Sequence, residues 1–152
     1  MSDTLNTLAT IIRHRDSVRL QIQRVTQELE RRALRHDISK LSLEELAGFS
    51  EINRVAREHP IGTPEYEASM RSCDVLDLHF SRNSHHPEFH GSVEEMGWMD
   101  LLEMVLDWHG AAATYGTNSV RDSLEYHRER HGFTDEQWWL VMQIVEWMEV
   151  PE

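Results

Sequence analysis

The sequence holds one cysteine, Cys73, so no disulfide can form within the chain, and a reducing compartment suits it. No run of 18 apolar residues is present that could span a bilayer. The opening Met1-Ser2-Asp3-Thr4 has no basic segment leading into an apolar one, so no secretory leader is read there and the expected location is cytoplasmic. Glycine-rich phosphate loops, strand-like alternation, internal repeats and low-complexity tracts are all missing. Positive charge is scarce: Lys and Arg total 15 against 27 Asp and Glu, a formal net charge of −12. Gripping a nucleic-acid backbone needs a basic footprint. Duplex nucleic acid and anionic membrane surfaces are therefore poor partners.

What is present is helical patterning. With 152 residues, 39% hydrophobic and 28% charged, the chain is expected to form one globular domain over residues 1–152 with a core of its own. Leu5, Leu8, Ile11, Val18, Ile22, Val25 and Leu29 recur at three- and four-residue steps, which predicts a helix over 3–32. His14 falls on that stripe and is expected to point inward, either as a ligand or as a core histidine bonded to a carbonyl. Ser42-Leu43-Glu44-Glu45 reads as a capping box, with the serine accepting from an amide and the glutamate reaching back. It predicts a helix over 42–57, broken by Glu58-His59-Pro60-Ile61-Gly62.

Thr63-Pro64 opens a third helix, expected to run through Tyr66, Met70, Cys73 and Leu76 to Phe80. Pro87 and Gly91 make 81–91 a loop. Ser92-Val93-Glu94-Glu95 reads as a second capping box ahead of a helix over 96–113. A turn at 115–118 leads to a helix over 119–131 that stops at Gly132. Thr134-Asp135-Glu136-Gln137 is a third capping box, for a helix carrying Trp138, Val141, Val145 and Met148 on one side. The pair Trp138 and Trp139 reads as core plus a partly exposed ring, or as a homodimer contact. The expected fold is an all-α, single-domain bundle of six or seven helices.

The chemistry lies in the histidines, ten in number and scattered rather than run together as in a tag. In Arg35-His36-Asp37-Ile38-Ser39-Lys40, an imidazole and a carboxylate leave one short segment, and the carboxylate has a second oxygen with which to bridge two metals. Lys40 follows His36 by one helical turn and suits an anionic substrate. His79 stands near a helix end, and His85 and His86 follow in a loop where packing does not explain them. Asp100, Glu103 and Asp107 share one helix face. Three acids in line read first as a solvated face, but this line borders an apolar stripe, so Asp107 can be drawn inward. In chain order the candidates are His14, His36-Asp37, His79, His85-His86 and Asp107, each on a different expected element, as in a bundle that converges ligands on its core.

This order resembles the HD superfamily of metal-dependent phosphohydrolases over most of the chain, from His14 to Asp107. The run His36-Asp37-Ile38-Ser39-Lys40 and the doublet His85-His86 are similar to the HD-GYP branch. The Gly-Tyr-Pro element is absent, since Pro87-Glu88-Phe89-His90-Gly91 follows the doublet, so cyclic dinucleotide specificity is not implied. The closest resemblance is to a small HD-like family of bacteria and their phages with HDxSK, HHPE and a helix like Glu103-Met104-Val105-Leu106-Asp107-Trp108.

The resemblance implies that His14, His36, Asp37 and Asp107 hold one metal. Asp37 then bridges to a second, held by His79 and by His85 or His86. Asp100 or Glu103 can replace the late acid, His90 or His109 one of the histidines, and Glu88 can orient a ligand from outside. The implied cofactors are one or two divalent transition metals: Mn, Fe, Co, Ni or Zn.

The implied activity is a phosphomonoesterase or phosphodiesterase acting on a nucleotide or related small phosphoester. Its metals lower the pKa of bound water, and Asp37 and Lys40 stand at the reacting centre, Lys40 against the phosphoryl oxygens. Two alternatives carry the same ligand types: an iron-containing oxygenase of the same fold, and a non-enzymatic binding protein whose metal only stabilises a helical domain.

Overall fold

A computed structural model describes residues 2–59, 62–71, 73–115 and 119–149. The chain is all-α. Among these residues there are eight α-helices, three short 3-10 helices and no strand, one or two more helices than the pattern predicts. None is long and apolar enough to cross a membrane. The turn expected at 115–118 lies largely outside the described residues. The chain divides into two units, Met1–His36 and Asp37–Glu152.

The first unit is α1, Ser2–Ala33, with the turn that follows it. Asp3 stands in its first turn and Arg31 and Arg32 in its last, each complementing the helix dipole. Glu28 accepts from Arg31 Nε at 2.7 Å and Arg32 Nε at 3.1 Å. Its 32 residues extend roughly 48 Å at the usual rise. No other element of the unit lies beside its apolar stripe.

The second unit holds α2 (Leu43–Glu58), α3 (Pro64–Arg71), α4 (Asp74–Phe80), α5 (Pro87–His90), α6 (Trp98–Tyr115), α7 (Leu124–His131) and α8 (Asp135–Met148). Two apolar clusters hold it. In one, Phe49 and Ile52 of α2 meet Val75 of α4, with Met70, Cys73 and Leu76 against them. In the other, Leu101, Met104, Val105 and Trp108 of α6 pack with Val120, Leu124, Val141, Ile144 and Val145. Gly48 lets α2 and α4 approach: a Cβ there would lie 2.6 Å from Val75 Cγ1 and 2.7 Å from Val75 Cβ.

The expected third helix is two. α3 ends at Arg71, Cys73 is extended (φ −109°, ψ 95°), and α4 begins at Asp74. The break falls without proline or glycine, so local sequence carries no sign of it. The caps also sort themselves. Thr134 and Gln137 form the full reciprocal capping box, and Gln137 Nε2 also donates to the Val93 carbonyl at 2.7 Å. Ser42 accepts from the Glu45 amide, but the Glu45 side chain goes elsewhere. Ser92 makes no side-chain cap; a 3-10 turn over Val93–Glu95 follows it, and α6 starts later, at Trp98. Gly132 ends α7 in the left-handed region, φ 67°. On α8 the buried residues are Val141, Ile144 and Val145, while Met148 and Trp139 are exposed.

Trp108 and His127 stack with centroids 3.9 Å apart and planes 8° from parallel. Burial, then His131 and Arg130 beside it, push His127 down to about 3 against the pull of Asp107. The unfolded chain, near the ordinary histidine value of 6.5, takes up a proton that the folded chain refuses. This contribution to stability is therefore intact above the unfolded pKa and is lost as pH falls toward the folded one. At about pH 5 the loss is about 2 kcal/mol from this group alone. Thermal unfolding near neutrality and at about pH 5 checks it. His127→Phe keeps a stacked ring and should lose that share of the pH dependence; an unchanged dependence refutes the assignment.

Candidate metal centre

The centre of the site is Asp37, whose backbone is left-handed (φ 54°, ψ 15°). It is the only non-glycine residue with positive φ among those described. Aspartate tolerates this conformation better than most residues. It turns the chain into the 3-10 helix Ile38–Leu41, closed by the Lys40 amide on the Asp37 carbonyl at 2.9 Å. Lys40 Nζ pairs with Asp37 Oδ2 and lies 4.7 Å from the centroid of the Phe49 ring. Asp37 Oδ1 faces the histidines.

His79 comes from the last turn of α4. His85 and His86 come from the loop behind it, where Pro87 opens α5 with His86 as its cap residue. His79 and His85 are buried, at 1% and 2% exposure. His79 Nε2 lies 3.1 Å from Asp37 Oδ1, His85 Nε2 3.4 Å from the same oxygen, and His86 Nε2 3.1 Å from His79 Nε2. The four residues each bring a ligand atom within 4.8 Å of the others. Ligands bonded to one cation at about 2.0–2.2 Å stand roughly 3.0–3.5 Å apart, which is the spacing of these contacts.

The electrostatics agree with a cation-binding role. Burial alone would raise the Asp37 carboxyl, but His79, His85 and Lys40 outweigh it and hold it well below the usual carboxylate range. Burial, with His85 and His79 alongside, pushes His86 down to about 2. At neutral pH the site thus offers a carboxylate and a neutral imidazole, the forms that bind metal.

The acids of α6 face this loop rather than bulk water. Glu103 Oε1 lies 3.5 Å from His85 Nδ1. Asp107 presents an oxygen within 4.8 Å of a His85 ring nitrogen. Asp100 accepts from Ser84 Oγ at 2.6 Å. His90 Nε2 donates to the Ser84 carbonyl at 2.8 Å, so it ties the loop down. His90 and His109 join no metal-sized group among the described residues. Glu88 reaches Arg130 at 3.5 Å, a surface pairing.

His14 and His36 belong to the first unit, and the four-residue cluster is built wholly in the second. Because α1 runs unbroken to Ala33, His14 lies roughly 28 Å along its axis from that residue. The three residues from there to His36 span at most about 11 Å. Two histidines expected on one metal therefore do not meet within one chain. The doublet resolves more simply: both His85 and His86 join the cluster.

Sequence reasoning missed Glu45. It is fully buried, at 0% exposure, and its Oε2 lies 3.0 Å from His79 Nδ1. A signal was present: Glu45, Phe49 and Ile52 share the buried face of α2 at helical spacing, and the capping-box reading obscured it.

Fold and site together define an all-α protein with a partly buried cluster of three histidines and one aspartate. The chain belongs to DUF5662, a family of unknown function whose model matches residues 3–150. No curated protein matches it, and no solved structure does.

Proposed function

We propose that the protein is a metal-dependent phosphohydrolase acting on a nucleotide or related small phosphoester. The observation that carries this reading is the convergence of Asp37, His79, His85 and His86 at metal-ligand spacing. Three imidazoles and one carboxylate suit Mn, Fe, Co, Ni or Zn better than calcium. Asp107, beside His85, is a further donor for a second ion. A bound divalent metal supplies Lewis acidity and lowers the pKa of coordinated water.

The chain's own residues do the rest. Asp37 joins the metal side to the cationic side of the site, one oxygen toward the histidines and the other on Lys40. Lys40, paired with Asp37 at the edge of the cluster, would neutralise charge on a phosphoryl oxygen. Elemental analysis of untagged protein, then phosphate release across a nucleotide panel with each metal found, tests the proposal. Absence of metal, or metal without phosphate release, refutes it. Lys40→Ala should lower turnover on the order of 10²-fold with metal content unchanged. If the metal leaves with it, Lys40 serves the fold and not the substrate.

The nitrogen-rich ligand set equally suits iron, so oxygen activation is the second reading. Oxygen consumption by iron-loaded protein, with no phosphate release, would establish it in place of hydrolysis.

A further inference from the structure

We propose that Glu45 is the positioning residue of His79. Its carboxylate holds the Nδ1 proton, which leaves Nε2 as the nitrogen that faces the point shared with Asp37, His85 and His86. The ion at that point rests on the reading above; the placement of the proton does not.

The available protons fix which nitrogen is protonated. Among the described residues, three polar groups surround His79 Nδ1: Glu45 Oε2 at 3.0 Å, Asn83 Nδ2 at 3.0 Å and Ser39 Oγ at 3.2 Å. The single proton of Ser39 is used toward Glu45 Oε2, at 2.8 Å. The two protons of the Asn83 amide are used toward Ser39 Oγ at 2.9 Å and the His79 carbonyl at 2.8 Å. No proton remains to be donated into the ring, while a carboxylate stands ready to accept one. Nδ1 is therefore the protonated nitrogen.

The carboxylate is itself locked. Glu45 Oε1 accepts from Arg82 Nη1 at 3.0 Å, and the other arm of that guanidinium pairs with Glu44. Glu45 also sits in the first turn of α2, where the helix dipole favours negative charge. Glu45 is fully buried, with His79, Ser39 and Arg82 around its carboxylate and the capping duty left to Ser42. Outer carboxylates of this kind fix the tautomer and orientation of a metal-binding histidine. His85 repeats the arrangement more loosely, with Glu103 beside its Nδ1.

The test uses the full chain, wild type and Glu45→Gln. Imidazole nitrogen NMR on metal-free protein should show His79 Nδ1 protonated in the wild type and deprotonated in the variant, whose amide can donate to it. Zn²⁺ titration against a competing chelator should show affinity lower by roughly 10–100-fold in the variant, with the circular dichroism spectrum unchanged. A bare Nδ1 in the wild type overturns the proposal, even if the variant does not fold. So does a variant that keeps wild-type tautomer and affinity. A wild type that binds no Zn²⁺ but carries the Nδ1 proton refutes the metal reading and leaves the proton placement standing.

Discussion

Asp37→Asn should strip the protein of metal and of turnover together. Asparagine accepts the left-handed backbone that Asp37 adopts and keeps nearly the same volume, so the exchange isolates the charge. Asp37 Oδ1 is the atom on which both buried histidines converge. An amide oxygen there cannot offset the charge of a divalent ion as a carboxylate does. The fall in metal affinity should exceed the roughly 10–100-fold typical of losing an outer partner. Metal analysis of the purified variant reads this directly, and a full complement of metal would remove Asp37 from the ligand set.

The variant should also be less stable without metal, because Lys40 and His79 lose the charge they face. The sign against pH follows from the depressed carboxyl. Its contribution is present above the unfolded carboxyl pKa of 3.8 and is lost as pH falls toward the folded value. Near neutrality the difference between wild type and variant should therefore be fully expressed.

Gly48→Ala should damage the same site from a distance. In an exposed helix interior this exchange gains up to about 1 kcal/mol in helix propensity. Here the new Cβ would fall 2.7 Å from Val75 Cβ, an atom fixed to the backbone of α4. One helix must move away from the other, at a typical overpacking cost of about 1–3 kcal/mol. Gly48 lies one turn beyond Glu45 on α2, and Val75 one turn before His79 on α4. Parting the helices stretches the 3.0 Å bond between Glu45 and His79. The expected result is a lower midpoint in thermal unfolding together with weaker Zn²⁺ binding. A more stable protein with unchanged affinity would show that the α2–α4 approach is not what sets the site.

Much of this was legible in residue pattern alone. Three- and four-residue apolar periods marked α1, α6 and α8, and Thr134 with Gln137 marked a cap that forms as read. The histidine doublet, too frequent for a packed loop, marked the cluster. Other features were hidden for physical reasons. The split between α3 and α4 carries no breaker residue. The acids of α6 were indistinguishable from a solvated face until the 81–91 loop was seen lying over them. Glu45 satisfied two patterns at once, a cap and a buried face, and only the packing chose between them. His14 sits on an apolar stripe, which says which side of α1 it occupies but nothing of what stands opposite. The unbroken run of that helix to Ala33 separates it from His36.

The left-handed residue at Asp37 sets two selective pressures against each other at one codon. Glycine would relax the backbone there by about 1 kcal/mol and would delete the oxygen on which His79 and His85 converge. A lineage selected for thermal robustness alone would drift toward the relaxed residue, whereas one selected for ligand donation must keep the strained one. At Asp37 the residue that would most ease the backbone is thus the one that would end ligand donation.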